Sequence, residues 1–459
     1  MTLKLPLLAL LAVVCAPAQY KSVNPTVKKI VDEVSEERIG EIMKKLESFG
    51  TRNIFSDDED PAHGVGAARR WIFDQFKSYS PRLEVRFDSY HVKKKGRIVR
   101  DVELHNVVAV LPGKLNPERQ FIISGHYDSV AYLHPPQPST DGASQPAPDN
   151  LFRLDNLAPT APGVSDDGSG TAAVMELARV MSQYEFEKTI VFVAFTAEEE
   201  GLIGSSLYAR KARAENQIID GVLNNDIIGT EVAGDGRIDN SSLWVFSEDP
   251  DDSPSRELAR YVKEVSERYF PSFKIDLIFR ADRFGRGGDH TAFNLEGYPA
   301  VRLTTPNETY VNQHSVTDTF ANASVPYTTR AVRANAAALA SLALAPKAPV
   351  TNEPIKTGPR KGQPTPMIGR GKSRYDAALR WKNESPEPDL LGYVVVMRKT
   401  TSPDWEREVF VGNVNEYTMK DVSIDDLVFG VKAIDRDGNE SLVAPFVAGP
   451  RQKADIETY

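Results

Sequence analysis

The stretch Thr189–Thr196, reading TIVFVAFT, is apolar at nearly every position and runs straight into Ala197-Glu198-Glu199-Glu200-Gly201. A strand has two faces, and one that is apolar on both needs cover on both. This run therefore belongs inside a sheet with helices above and below, and the glutamates mark where it reaches the rim. Asn106–Leu111 and Phe121–Ser124 are short runs of the same kind. Around them the period changes to that of a helix. Val174, Leu177, Ala178 and Met181 repeat at helical spacing within Thr171–Met181, and Ile39, Ile42, Met43 and Leu46 form one stripe that Gly50 stops. A further helical segment spans Gly64–Tyr79, and Leu83–His91 alternates as a strand. Strands interleaved with helices predict an α/β domain with a mixed, mostly parallel sheet flanked by helices.

The 459 residues exceed one domain of this kind. After an alanine-rich helix at Thr328–Leu344, residues 346–369 are rich in proline, lysine and glycine and read as a linker. Residues 370–459 then carry short strands at regular intervals, such as Gly392–Val396 and Val428–Ala433, with a turn signal at Asp437-Gly438-Asn439. This predicts a small all-β sandwich. Its strand order resembles a fibronectin type III module, with Trp381, Tyr393 and Phe429 as core aromatics. At the other end, Lys4, the run LPLLALLAVV and Ala16-Pro17-Ala18 read as a signal peptide over residues 1–18, cut near Ala18. That predicts a secreted or periplasmic protein whose first folded domain is 19–345. Cys15 is the only cysteine, so the processed chain would hold no disulfide. Residues 131–163 contain seven prolines and read as a functional rim or a disordered insert. A formal net charge of −9 argues against a nucleic-acid partner, and no apolar run is long enough to span a bilayer.

Five segments place metal-binding residue types where predicted strands end. Gly125-His126-Tyr127-Asp128 follows the strand FIIS, with Asp128 spaced to hold the His126 imidazole. Ser165-Asp166-Asp167-Gly168 opens a helix, where carboxylates also serve as plain caps. The glutamates after TIVFVAFT can divide labour, one on a metal and its neighbour on a proton. Asn224-Asn225-Asp226 and Gln313-His314-Ser315 complete the set. Together His126, Asp166, Glu199, Asp226 and His314 offer nitrogen and oxygen ligands with no thiolate. Such a set suits zinc, with manganese or cobalt as alternatives. Asp289-His290 and Tyr310 are candidates for a substrate pocket. Arg280, Arg283, Arg286 and Arg302 fit a salt-bridged loop or a grip on a substrate carboxylate, and His63, His91, His105 and His134 read as structural or exposed.

The order GHYDS, SDDGSG, AEEEGLIGS, NNDIIG, QHSVTDT resembles the co-catalytic di-zinc peptidases, a family that includes bacterial leucyl aminopeptidases and glutamate carboxypeptidases. The likeness covers roughly residues 25–345. It implies two zinc ions per chain bridged by Asp166, with His126 and Asp226 on one and Glu199 and His314 on the other. It implies Glu198 as general base and Asp128 as the group orienting His126. The expectation is a secreted exopeptidase using a metal-bridged water on peptide or protein substrates, an aminopeptidase first and a carboxypeptidase second. A single-zinc glutaminyl cyclase and a non-hydrolytic binding ectodomain are the rivals. For the C-terminal module, binding to a surface or polymer and simple shielding both stay open.

Overall fold

One mixed sheet of eight strands organises the larger part of the chain: β1 (Glu84–Val92), β2 (Val102–Leu111), β3 (Asn116–His126), β4 (Lys188–Phe195), β5 (Ile218–Asn225), β6 (Ser242–Ser247), β7 (Lys274–Ile278) and β8 (Ala300–Thr304). Their order is β1-β2-β4-β3-β5-β8-β6-β7. The pairs β4·β3, β3·β5, β5·β8 and β6·β7 are parallel, and β1·β2, β2·β4 and β8·β6 are antiparallel. The computed structural model describes residues 23–131, 160–358, 361–385 and 387–447. The predicted leader with Cys15, most of the proline-rich stretch and His134 lie outside the described residues.

The helices are α1 (Pro25–Asp32), α2 (Glu36–Ser48), α3 (Gly64–Tyr79), α4 (Ser169–Met181), α5 (Ile203–Ala214), α6 (Pro254–Tyr269), α7 (His290–Leu295) and α8 (Val325–Leu344). Helix α2 begins where Ser35 accepts the Arg38 amide, and its Ile39, Met43 and Leu46 stripe is buried. β4 shows why the opening reading of TIVFVAFT holds. Ile190, Phe192 and Ala194 pack into a core with α2, α3, α4, α6 and α8, whereas Val191, Val193 and Phe195 pack on the opposite face with α5 and α7. Each fully buried side chain of this size stabilises the fold by about 1.5–3 kcal/mol. Truncating Phe192 to Ala would cost about 3–5 kcal/mol.

This layering also decides where a site can form. The connection from β3 to β4 runs through α4 on one face, and that from β4 to β5 runs through α5 on the other. β3 lies between β4 and β5, so the two connections part above its carboxyl end and leave a crevice.

The C-terminal part is a pair of antiparallel sheets. One joins Ile368–Gly369, Ala377–Arg380 and Glu416–Met419; the other joins Arg407–Gly412, Leu390–Lys399, Leu427–Asp435 and Ala444–Pro445. Trp381, Tyr393 and Phe429 are buried between them, with the Trp381 and Tyr393 rings edge to face at 5.5 Å. The expected linker 346–369 is partly folded. Asn352–Pro354 pairs with Pro364–Pro366, and Ile368–Gly369 edges the first sheet. Strands this short leave no periodic signal, and their prolines suit edge positions.

The sandwich is docked on α6 by buried charge. Trp405 donates Nε1 to Glu257 Oε2 at 2.9 Å. Lys432, 2% exposed, places Nζ 3.2 Å from Glu264 and 3.0 Å from both Glu408 and Glu440. Buried Arg398 pairs with Asp251 at 3.1 Å and with Asp252.

Candidate metal centre

The carboxyl edge of the sheet gathers the five ligand candidates. His126 is the last residue of β3, Glu198 and Glu199 follow β4, Asp226 follows β5, and His314 lies in the loop after β8. Asp166 enters on the turn Val164–Gly168 that leads into α4. Its two carboxylate oxygens face different partners. Oδ1 is 3.3 Å from His126 Nε2, which in turn is 4.0 Å from Asp226 Oδ1. Oδ2 is 3.0 Å from His314 Nε2, which is 3.1 Å from Glu199 Oε1. The result is two three-residue groups, His126–Asp166–Asp226 and Asp166–Glu199–His314, each with ligand atoms within 4.8 Å of one another and sharing one aspartate.

A layer of polar groups fixes this geometry. The His126 Nδ1 lies 3.2 Å from the Asp128 carbonyl and 3.6 Å from its carboxylate. The longer distance is beyond a hydrogen bond. Asp128 thus meets His126 through its backbone, while its carboxylate accepts the Glu198 and Glu199 amides at 3.3 Å each. Both Asp128 oxygens stand on the Nδ1 side of the His126 ring, the carbonyl nearer than the carboxylate. Asp167 takes the plain capping role that its neighbour could have had. Its carboxylate accepts the amides of Gly170 at 3.0 Å, His126 at 3.1 Å and Ile227 at 3.1 Å, tying the ends of β3 and β5 to the start of α4. A Cβ on Gly170 would meet that carboxylate at 2.3 Å, which is why the motif carries glycine there. Asp318 accepts the Ser165 and Asp166 amides at 2.8 and 3.0 Å.

Beneath this layer lies Arg52, with no exposure. Its guanidinium donates to the carbonyls of Tyr127 at 2.5 Å, Gly163 at 2.8 Å, Leu46 at 3.4 Å and Pro162. It bridges the segment after His126 to the segment before Asp166. Burial lowers its pKa to about 10, with Asp318, Asp128, Asp167 and Asp166 opposing. Asp167 and Asp318 fall inside the SDDGSG and QHSVTDT segments without being singled out there, and Arg52 carries no signal in the sequence that separates it from ordinary loop residues.

The cleft above measures about 230 Å³ and is lined by Arg97, Asp166, Glu198, Glu199, Gly201, Leu202, Asp226, Arg283, Gly285, Arg286, Gly287 and His314. Burial pushes the Glu198 carboxyl well above the usual range, with His126 opposing and Asp226 and Glu199 adding to it. Burial likewise pushes Asp226 up to about 6. Burial also works against an ionised Asp166, but the neighbouring His126 and His314 imidazoles hold it well below the ordinary value. Three carboxylates and two imidazoles crowded into a dry site form a nitrogen–oxygen donor set that divalent cations satisfy. The buried His126 Nε2 makes no hydrogen bond and points between Asp166 and Asp226, as a metal ligand would. The residues fit zinc.

Other candidates fall elsewhere. Asp289 and His290 are buried, and neither they nor Tyr310 lines the cleft. His290 places Nε2 2.8 Å from the Ala281 carbonyl, and Tyr310 is 58% exposed, under the Arg286 guanidinium. Of the arginines, Arg283 and Arg286 share Glu308 at 2.9 Å and line the cleft, while buried Arg302 lies 3.0 Å from Asp226. His63 lies 3.4 Å from Asp60, His91 pairs with Glu103, and His105 meets Ser89.

Residues 106–340 match peptidase family M28, and the chain belongs to that family. Among its relatives is a probable zinc metalloprotease of Pyricularia oryzae, 34% identical over 445 residues, which span 89% of this chain and 82% of the relative. Another, from Leptosphaeria maculans, is 33% identical over 452 residues, 92% of this chain and 96% of the relative. The protein is accordingly a zinc metallopeptidase. Solved structures share the fold. The LapA aminopeptidase of Legionella pneumophila superposes with a TM-score of 0.51 at 19% identity, over 70% of this chain and 76% of that one. An aminopeptidase from Aneurinibacillus sp. strain AM-1 gives 0.50 at 18% identity, over 69% and 96%.

Proposed function

We propose that the chain is an aminopeptidase carrying two zinc ions, with His126 and Asp226 on one, Glu199 and His314 on the other, and Asp166 shared. The observation that carries this reading is the opposed orientation of the two Asp166 oxygens, one toward each group. Zinc bound there supplies Lewis acidity and brings a water toward ionisation at neutral pH. The chain's own residues do the rest. Asp128 anchors the backbone amides of Glu198 and Glu199 and so aims the Glu198 carboxylate into the cleft. Glu198 accepts the proton of the attacking water and passes it to the leaving amine. Asp167 and Arg52 keep the strand ends in register beneath it.

The test combines metal counting with a substrate panel. Two zinc ions per chain, with one left in His126→Ala, support the shared-aspartate reading; a single ion in the unaltered protein would favour a cyclase. Glu198→Gln should retain its zinc and lose turnover by several orders of magnitude, and full activity in that variant removes Glu198 from the reaction. Cleavage that needs a free amine establishes the aminopeptidase. Cleavage of N-blocked peptides at a free C-terminus would establish a carboxypeptidase instead.

A further inference from the structure

The hairpin joining β1 and β2 carries five cations in eight residues, Lys93, Lys94, Lys95, Arg97 and Arg100 with Gly96 at the turn, in a chain whose net charge is −9. Its position follows from register. β2 pairs with β4 only over Val107–Leu111, whereas it pairs with β1 over Val102–Val110. The half of β2 nearest the hairpin therefore projects about 13 Å beyond the end of β4, on the side where the cleft opens.

The hairpin is held there. Ile98 is buried in a small core with Ile54, Phe55, Val130 and Ala197, the last directly before Glu198. Arg97 donates Nη1 to the Glu199 carbonyl at 3.1 Å and lines the cleft. Arg100 donates to the Phe55 carbonyl. Of the acids on the same hairpin, Asp101 accepts the Lys94 amide at 2.8 Å, and Glu103 lies 2.5 Å from His91. Lys93, Lys94 and Lys95 are exposed and form no ion pair among the described residues. A rigid basic arm thus stands at the mouth of a peptide-binding cleft that already includes Arg283 and Arg286.

We propose that this arm recognises acidic side chains of the substrate in the residues that follow the scissile bond, so that the enzyme selects peptides with an acidic stretch behind their N-terminal residue. The inference rests on the peptidase reading above. An anionic membrane is the less fitting partner, because Arg97 continues the charge of the arm into the cleft.

The test compares the zinc-loaded full chain with a variant carrying Lys93→Ser, Lys94→Ser and Lys95→Ser. Substrates are a leucine anilide, a peptide with leucine followed by three glutamates, and the same peptide with glutamines. The unaltered enzyme should favour the glutamate peptide in kcat/KM by about tenfold at low salt, as three exposed charge contacts allow. That preference should fade by 0.5 M salt. The variant should lose it and keep its leucine anilide turnover. A fluorescent glutamate peptide binding to the metal-free chain, read by anisotropy, should weaken in parallel. Equal treatment of the two peptides by the unaltered enzyme overturns the proposal, as does an undiminished preference in the variant, or loss of binding to phosphatidylserine vesicles with peptide selection intact. Failure to cleave the anilide counts against the aminopeptidase reading instead, and the anisotropy measurement then still decides the role of the arm.

Discussion

Removing the Arg52 guanidinium probes the support of the metal centre without touching a ligand. Arg52→Met keeps most of the side-chain volume and deletes every donor. The carbonyls of Tyr127, Pro162 and Gly163 then lose their partner in a dry interior. Each unpaired buried polar group costs about 1–3 kcal/mol, so three give about 3–9 kcal/mol before relaxation. The loss also strips a buried cation from the neighbourhood of Asp128, Asp166, Asp167 and Asp318. Breaking such buried charge compensation costs about 3–5 kcal/mol on its own, and the two estimates overlap because the same group supplies both. A deficit of about 5 kcal/mol is the working value, which lowers the melting temperature by about 10 °C at the small shift per kcal/mol that large chains show. Arg52→Lys keeps the charge but has fewer donors, and should fall between the two. Thermal melts of the chelated protein by circular dichroism measure the effect with zinc removed from the comparison. An Arg52→Met variant melting within about 2 °C of the parent would refute the reasoning.

Chelation of the unaltered protein should itself lower the melting temperature, since binding at a thousandfold excess over Kd contributes about 4 kcal/mol to the folded state; an unchanged melt counts against a metal in this cluster. Lys432→Met should destabilise by about 3 kcal/mol, because Glu264, Glu408 and Glu440 would lose their shared buried cation. A melting temperature equal to the parent's would show that cluster to be ornamental. Burial pushes the Glu187 carboxyl up to about 7, with Lys188 opposing and Asp389 and Glu387 adding to it. A folded-state pKa above the unfolded one favours folding while the group stays protonated. The contribution is full below about 4.5 and is lost as pH rises through about 7. Glu187→Gln should therefore gain stability relative to the parent across that window, and a difference independent of pH would exclude Glu187 as its source.

The parts of this protein that the sequence made readable are those where one constraint dominates. TIVFVAFT had to lie in a two-sided sheet, and a glutamate run at its end had to lie on the rim. By contrast β5, with Asp220 and Gly221 inside it, has no comparable pattern, because its place between β3 and β8 rather than local preference holds it. Asp128 shows a finer limit. Its spacing from His126 is compatible with contact through either carboxylate or carbonyl, and only the backbone rotation chooses the carbonyl. Arg52 was unreadable for another reason: its partners are main-chain oxygens 6 to 111 residues away, and these leave no trace in residue type.

The seam between the sandwich and α6 is bolted with ions instead of sulfur. Pulling its halves apart would part Lys432 from Glu264, Arg398 from Asp251 and Asp252, and Arg268 from Glu440, so cations and acids on both sides lose partners together. The tail end of the gene is therefore not a detachable bead that recombination could trade for another. A chain cut after α8 would leave Asp252 and Glu257 without Arg398 and Trp405, and Arg268 without Glu440, so acids and cations alike would lose partners on the exposed face.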